Sequence, residues 1–168
     1  MIVLIVGDYG VGKDTFADML VEHLGEDANK IKSVTTRKPR YPDEDTHVFV
    51  NEQRWLLLSQ NYEIIAYTEI GGEHYGTFFN QFGYYDYDVY VVDDVGVRDV
   101  LRSCIDATYI VEIKRPKWLI DLPEERLTRE RTDSYDYKPD YVVINDTTLE
   151  KLDASAREVS YILKDVNK

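Results

Sequence analysis

The first 25 residues constrain this chain more than any other stretch. Ile2–Val6 is an unbroken run of β-branched and aliphatic residues, which reads as a strand buried on both faces. Gly7-Asp8-Tyr9-Gly10-Val11-Gly12-Lys13 follows at once. Phe16, Met19, Leu20 and Leu24 then recur at helical spacing, and Gly25 marks the stop. A buried strand, a glycine-rich loop and an amphipathic helix in direct succession form an anion cradle. Glycines let the backbone wrap closely and aim its N–H groups at oxygen, and the helix N-terminus adds favourable partial charge. A glycine-rich turn with a surface lysine would not need that flanking context.

The spacing of Gly7, four residues, Gly12 and Lys13 is the P-loop pattern of nucleoside triphosphate binding. Gly7, Gly10, Val11, Gly12, Lys13, Asp14 and Thr15 are therefore expected to hold ATP. Lys13 is expected to bridge the β- and γ-phosphates and to act in catalysis. Asp14 stands where a Ser or Thr normally offers a hydroxyl to Mg²⁺. Either Asp14 or Thr15 is the expected metal contact, or the ion is held elsewhere.

The remaining pattern alternates strands with helices. Strands are predicted at Ile31–Val34, His47–Val50, Ile64–Thr68, Asp88–Val92, Thr108–Ile113 and Tyr141–Ile144. Asn51 is expected to cap a short helix through Trp55–Ser59, and Gly71–Gly72 to form a turn. Helices are predicted at Val95–Ser103 and Trp118–Arg131. A last helix has a Thr147–Glu150 capping box and a stripe of Leu149, Leu152, Ala156, Val159 and Ile162. This order implies an α/β fold with a parallel sheet covered by helices on both faces. The tyrosines at 84, 85, 87 and 90 read as a half-buried segment rather than an aromatic site.

A net charge of −12 argues against nucleic acid or an anionic membrane as partner. It leaves room for a small phosphorylated ligand, which responds to a local pocket. The single cysteine, Cys104, allows no intrachain disulfide, and no stretch has membrane length. A cytoplasmic location is expected.

Further blocks carry a resemblance. Ser33–Arg40 reads S-V-T-T-R-K-P-R, His74–Thr77 reads H-Y-G-T, Glu125–Ser134 reads E-R-L-T-R-E-R-T-D-S, and Val143–Asp146 reads V-I-N-D. With Asp93–Gly96 at a strand end, these blocks resemble guanylate kinases in order and spacing over nearly the whole chain. The resemblance implies a three-layer P-loop NTPase fold in a single domain. Its core would be about 1–34, 85–123 and 140–168, its acceptor-binding insertion about 35–84 and its short lid about 124–139. It implies that Ser33, Arg37, Arg40, Tyr75 and Thr77 hold the acceptor nucleotide. Arg126, Arg129 and Arg131 would close from the lid as catalytic cations, or form a solvated helix face. Asp93 would orient the acceptor or a magnesium-bound water, or cap the following helix. Asn145 would contact the adenine of ATP, or serve as a turn residue.

Four departures shape the expectation. The acid with which guanylate kinases read guanine falls on Ala66, with Glu63 and Glu69 three residues to either side. His47 stands where a phosphate-binding Tyr is usual, and would either donate to the acceptor phosphate or be a loop histidine with no ligand role. The stretch after the lid arginines is short by about a helix. K-D-T replaces K-S-T, which is similar to phage deoxynucleoside monophosphate kinases and to compact guanylate-kinase-like proteins of Firmicutes and their phages. The implied reaction is transfer from ATP, with Mg²⁺, to a nucleoside or deoxynucleoside monophosphate, GMP or dGMP being favoured, by a monomer or homodimer. The alternatives are a kinase of a phosphorylated sugar such as ribose 1,5-bisphosphate and a non-catalytic interaction module.

Overall fold

The computed structural model describes residues 1–103, 107–120, 137–146 and 148–167. β1 (Ile2–Gly7) is the central strand of a five-stranded parallel sheet. β2 (Ala28–Ile31) and β7 (Tyr87–Val91) lie to one side, β8 (Thr108–Lys114) and β9 (Tyr141–Ile144) to the other, in the order β2-β7-β1-β8-β9. Ile2 is in register with both Asp88 and Thr108. Residues 2–6 of β1 are at most 1% exposed, which is why the strand reads as uniformly apolar rather than alternating.

One face of this sheet carries α1 (Lys13–Leu24) and α4 (Leu149–Val166). Phe16, Ala17 and Leu20 of α1 meet Leu152, Ala156, Val159 and Leu163 of α4 over Val3, Ile5, Val89, Val111 and Ile113. Fully burying a side chain of this size contributes about 1.5–3 kcal/mol. The other face carries α3 (Asp94–Ser103), whose Val97 and Val100 pack on Leu4, Val6, Tyr90 and Val92. Helix, sheet and helix make the three expected layers. Among the described residues, no helix is long and apolar enough to cross a membrane.

A second, four-stranded sheet lies between β2 and β7 in the chain. Its order is β4 (Val48–Phe49), β3 (Val34–Thr35), β6 (Glu73–Phe78) and β5 (Ile64–Ile70). β5 and β6 pair antiparallel through Gly71 and Gly72, both with positive φ as the turn requires. The pairing runs Ile65 with Thr77 and then Thr68 with Tyr75, so β5 carries one extra residue. That bulge includes Ala66, the one non-glycine residue with positive φ (57°) among the described residues. α2 (Glu52–Asn61) covers the sheet through Trp55, which packs with Val34 and Phe78. A Cβ on Gly76 would come within 2.8 Å of Ile64 Cγ2 and 3.2 Å of the Trp55 ring, so glycine there lets the helix approach.

Several expectations change. The strand predicted at Ile31–Val34 is two strands in different sheets, broken at Lys32 and Ser33. β6 was not predicted at all, because Glu73, His74, Tyr75 and Gly76 show no apolar alternation. Asn51 caps α2 as expected, its Oδ1 accepting from the Arg54 N–H at 2.8 Å. The last helix starts at Leu149 with Thr148 in the cap position, and the expected cap residue Thr147 lies outside the described residues. Its buried stripe takes in Ser160 and Leu163, while Leu149 is exposed. Lys117–Leu119 form a 3-10 turn, and the rest of the helix predicted at Trp118–Arg131 is outside the described residues apart from Ile120. Cys104 is outside them as well. Of the four tyrosines, Tyr87 and Tyr90 are buried in β7, and Tyr84 and Tyr85 are exposed.

Candidate active site

The loop after β1, the second sheet and the start of α3 enclose a cleft of about 470 Å³. The loop conforms closely to its glycines. Gly7, Gly10 and Gly12 have φ of 147°, 73° and 94°, a region that strains any L side chain. A Cβ on Gly7 would also lie 2.3 Å from the Ile113 carbonyl oxygen, and one on Gly12 would lie 2.7 Å from Asn145 Nδ2. Lys13 Nζ folds back to donate to the carbonyls of Gly7 (2.8 Å) and Asp8 (2.7 Å), and it lies 5.6 Å from the Tyr9 ring centre. Asp14 and Thr15 are exposed in the first turn of α1, and Lys30 Nζ is 3.2 Å from Asp14 Oδ1.

Asn145, at the end of β9, braces this loop from behind. It is 6% exposed, and its Nδ2 donates to the carbonyl of buried Val11 at 2.8 Å. The amide nitrogen is therefore directed at the loop backbone.

The residues expected to hold the acceptor lie on and beside the small sheet. Ser33, His47 and Tyr75 line the cleft. Arg37 lies beside them, over the Phe49 ring at 5.2 Å, but its fork is engaged. Its Nη2 donates to Glu44 Oε1 at 2.7 Å and its Nη1 to Glu44 Oε2 at 3.2 Å. The Glu44 carboxylate is buried and also accepts from the Arg40 N–H (2.6 Å) and the Thr46 hydroxyl (2.9 Å). Hydrogen bonds from Arg37, then from the Arg40 backbone, lower its pKa to about 2. The same bond raises the pKa of Arg37. Burial, and next the charge of Arg37, lower that of His47, which favours the neutral ring. The Arg40 side chain is exposed.

Thr77 was expected to meet the acceptor. It is fully buried, and its hydroxyl donates to Tyr90 Oη at 2.6 Å. Tyr90 Oη in turn lies 3.3 Å from Ser33 Oγ. Thr77 thus reaches the cleft only through Tyr90, whose hydroxyl is pushed up in pKa by burial.

Asp93, at the end of β7, lines the cleft and also caps α3, its Oδ1 accepting from the Gly96 N–H at 2.8 Å. A third part of the wall is made by Ala66, Thr68 and Ile70 of β5 with Val95 and Arg98 of α3. Glu63 and Glu69 do not line it. Glu63 accepts from Ser103, and Glu69 from Tyr67, whose hydroxyl lies 2.9 Å from His74 Nδ1. Arg126, Arg129 and Arg131 lie outside the described residues.

Glu44, Tyr90, Thr68 and Arg98 escaped the reading of the sequence. Glu44 lies in an acidic loop with no period to single it out. Arg98 carried a signal, being four residues after Asp94 and so on the same helix face.

No family model matches the chain. A guanylate kinase of Latilactobacillus sakei is 29% identical over 139 residues, 79% of this chain and 67% of that protein. One from Lactobacillus johnsonii is 35% identical over 80 residues, 46% of this chain and only 39% of the relative's own length. The crystal structure of guanylate kinase from Anaplasma phagocytophilum matches over 99% of this chain and 85% of that one, at 25% identity and a TM-score of 0.69. The chain is guanylate-kinase-like. Its parallel sheet, glycine loop and inserted second sheet are those of a guanylate-kinase-like P-loop fold.

Proposed function

We propose that this guanylate-kinase-like protein transfers the γ-phosphoryl group of ATP to the phosphate of a nucleoside monophosphate. The observation that carries the reading is the pairing of two anion sites across one cleft. The Lys13 loop forms one; Ser33, Tyr75 and His47, with Arg37 behind them, form the other. Two phosphates held face to face need no covalent intermediate. An oxygen of the acceptor phosphate attacks Pγ in line, the bond from Pγ to the β-bridging oxygen breaks, and ADP leaves with that electron pair. The acceptor dianion is already a nucleophile, so no base is required.

Each side chain then has a distinct part. Lys13 exchanges the Gly7 and Asp8 carbonyls for phosphate oxygens and offsets charge that builds on the β–γ bridge. The Arg37 guanidinium is fixed in orientation by its two bonds to Glu44, so that its remaining N–H groups would meet the acceptor phosphate already oriented. Asn145 keeps the loop in shape, and Asp93 lines the cleft that both groups share. Arg126, Arg129 and Arg131 would supply positive charge from the lid.

Magnesium fits this donor set as an ion held mainly by nucleotide oxygens, with Asp14 or Thr15 at the loop's end. The described residues contain no group of three or more His, Cys, Asp or Glu able to hold a metal, and Mg²⁺ with a nucleotide needs only one or two carboxylates. When bound, it would neutralise phosphate charge.

The test couples ADP release to a panel of nucleoside monophosphates, with Lys13→Ala as control. Turnover should be lost in that variant while its thermal unfolding stays cooperative. Near-normal turnover by Lys13→Ala would sink the assignment.

A further inference from the structure

The phosphate-binding parts of the cleft leave its third part unexplained. Ala66, Ile70 and Val95 make it apolar, as a planar base requires. Its carboxylates already take hydrogen bonds: Asp93 Oδ1 from the Gly96 N–H, and Asp94 Oδ1 from the Tyr137 hydroxyl at 2.6 Å. Beside these carboxylates, whose second oxygens are acceptors too, the wall carries a cationic donor in Arg98 and a hydroxyl in Thr68. Arg98 uses its Nε toward the Asp94 carbonyl at 3.4 Å, one turn back, while among the described residues its two terminal nitrogens have no hydrogen-bond or ion-pair partner. Thr68 is half-buried, and among the described residues its hydroxyl likewise has no partner. Neither Glu63, just before β5, nor Glu69, within it, lines this wall, and both accept hydrogen bonds elsewhere.

A guanidinium with two open N–H groups pairs with acceptors such as O6 and N7 of guanine or O4 of a pyrimidine, and it opposes the amino groups of adenine and cytosine. We propose that Arg98 is a specificity-determining residue that selects acceptors whose base has a carbonyl at purine position 6 or pyrimidine position 4, against an amino group there. Thr68 adds a hydroxyl to the same part of the wall. This inference rests on the phosphoryl-transfer reading above.

The experiment measures kcat/KM for GMP, dGMP, dTMP, UMP, AMP and CMP at saturating ATP. The pairs GMP/AMP and UMP/CMP compare bases of equal ring size. The carbonyl member of each active pair should exceed the amino member by about ten- to a hundredfold, the range of one bidentate Arg–base contact. Arg98→Met keeps the apolar stem and removes the donors. It should bring the ratio close to one through a raised KM for the carbonyl acceptor, with the KM for ATP and the unfolding midpoint unchanged. Arg98→Lys should retain only part of the preference. Equal or inverted ratios in the parent protein overturn the inference alone, as does a ratio that survives in Arg98→Met. No turnover with any of the six overturns phosphoryl transfer to a nucleotide, and this inference with it.

Discussion

Asn145 offers a test of how the phosphate loop is held. Its Nδ2 is the donor to a carbonyl on Val11, a residue 1% exposed. Asn145→Ala leaves that oxygen buried without this partner, which costs about 1–3 kcal/mol. For a chain of this size each kcal/mol moves the midpoint by about 2–4 °C, so thermal unfolding should fall by roughly 2–12 °C. Asn145→Asp is nearly isosteric but sets an acceptor-only carboxylate against the carbonyl, so its loss should exceed that of Ala. Differential scanning calorimetry with and without ATP reads both effects. If Asn145 met the nucleotide instead, the apo midpoints would stay within a degree of the parent and only the rise on adding ATP would shrink. That result would refute the bracing argument.

Further outcomes follow from the same geometry. Glu44 has its carboxyl lowered to about 2, so its contribution is complete above its unfolded pKa of about 4.3 and is lost as pH falls toward 2. Acid titration of Glu44→Gln should show a flatter decline over that window than the parent, and parallel curves would count against the Arg37–Glu44 fork. Arg37→Ala combined with Glu44→Gln, which avoids stranding a buried carboxylate, should raise the acceptor KM while sparing that for ATP. An unchanged acceptor KM would remove Arg37 from the site. Gly96→Ala would bring a Cβ to 2.1 Å from Val92 Cγ2 and 2.7 Å from Ala66 Cβ, an overpacking that costs about 1–3 kcal/mol. Denaturant unfolding with an unchanged midpoint would mean that α3 is free to shift.

Local signals carried the parts of this fold that short-range chemistry decides. Ile2–Gly12, with its uniform apolar run and three glycines, announced both the central strand and the loop. Asn51 declared a helix start, and Tyr141–Ile144 a strand with its observed bounds. Tertiary pairing decided the rest. Ile31 and Val34 are three residues apart and equally apolar, yet they join different sheets because Lys32 and Ser33 turn the chain between them. β6 is a strand because β3 and β5 supply partners for its backbone, not because its side chains alternate. At the site, residue type singled out Ser33, which lines the cleft, and Arg37, which lies beside that wall. It could not foretell that Glu44 would already hold the Arg37 fork, or that Thr77 would point inward to Tyr90, since both depend on a loop path and a strand register.

The placement of β1 at the sheet centre has a consequence for how the protein is made. Ile2 waits for Asp88 and Thr108, so both flanking strands emerge about 90 and 110 residues later. Until then the most apolar segment of the chain has no neighbour on either edge, and the loop it carries has no wall behind Gly7, whose back is the Ile113 carbonyl. Pairings this distant close slowly and leave strand edges open to other chains. A ribosome paused before β8 would therefore hold a chain able to fold its first helix but not its phosphate cradle, and in need of shielding while it waits.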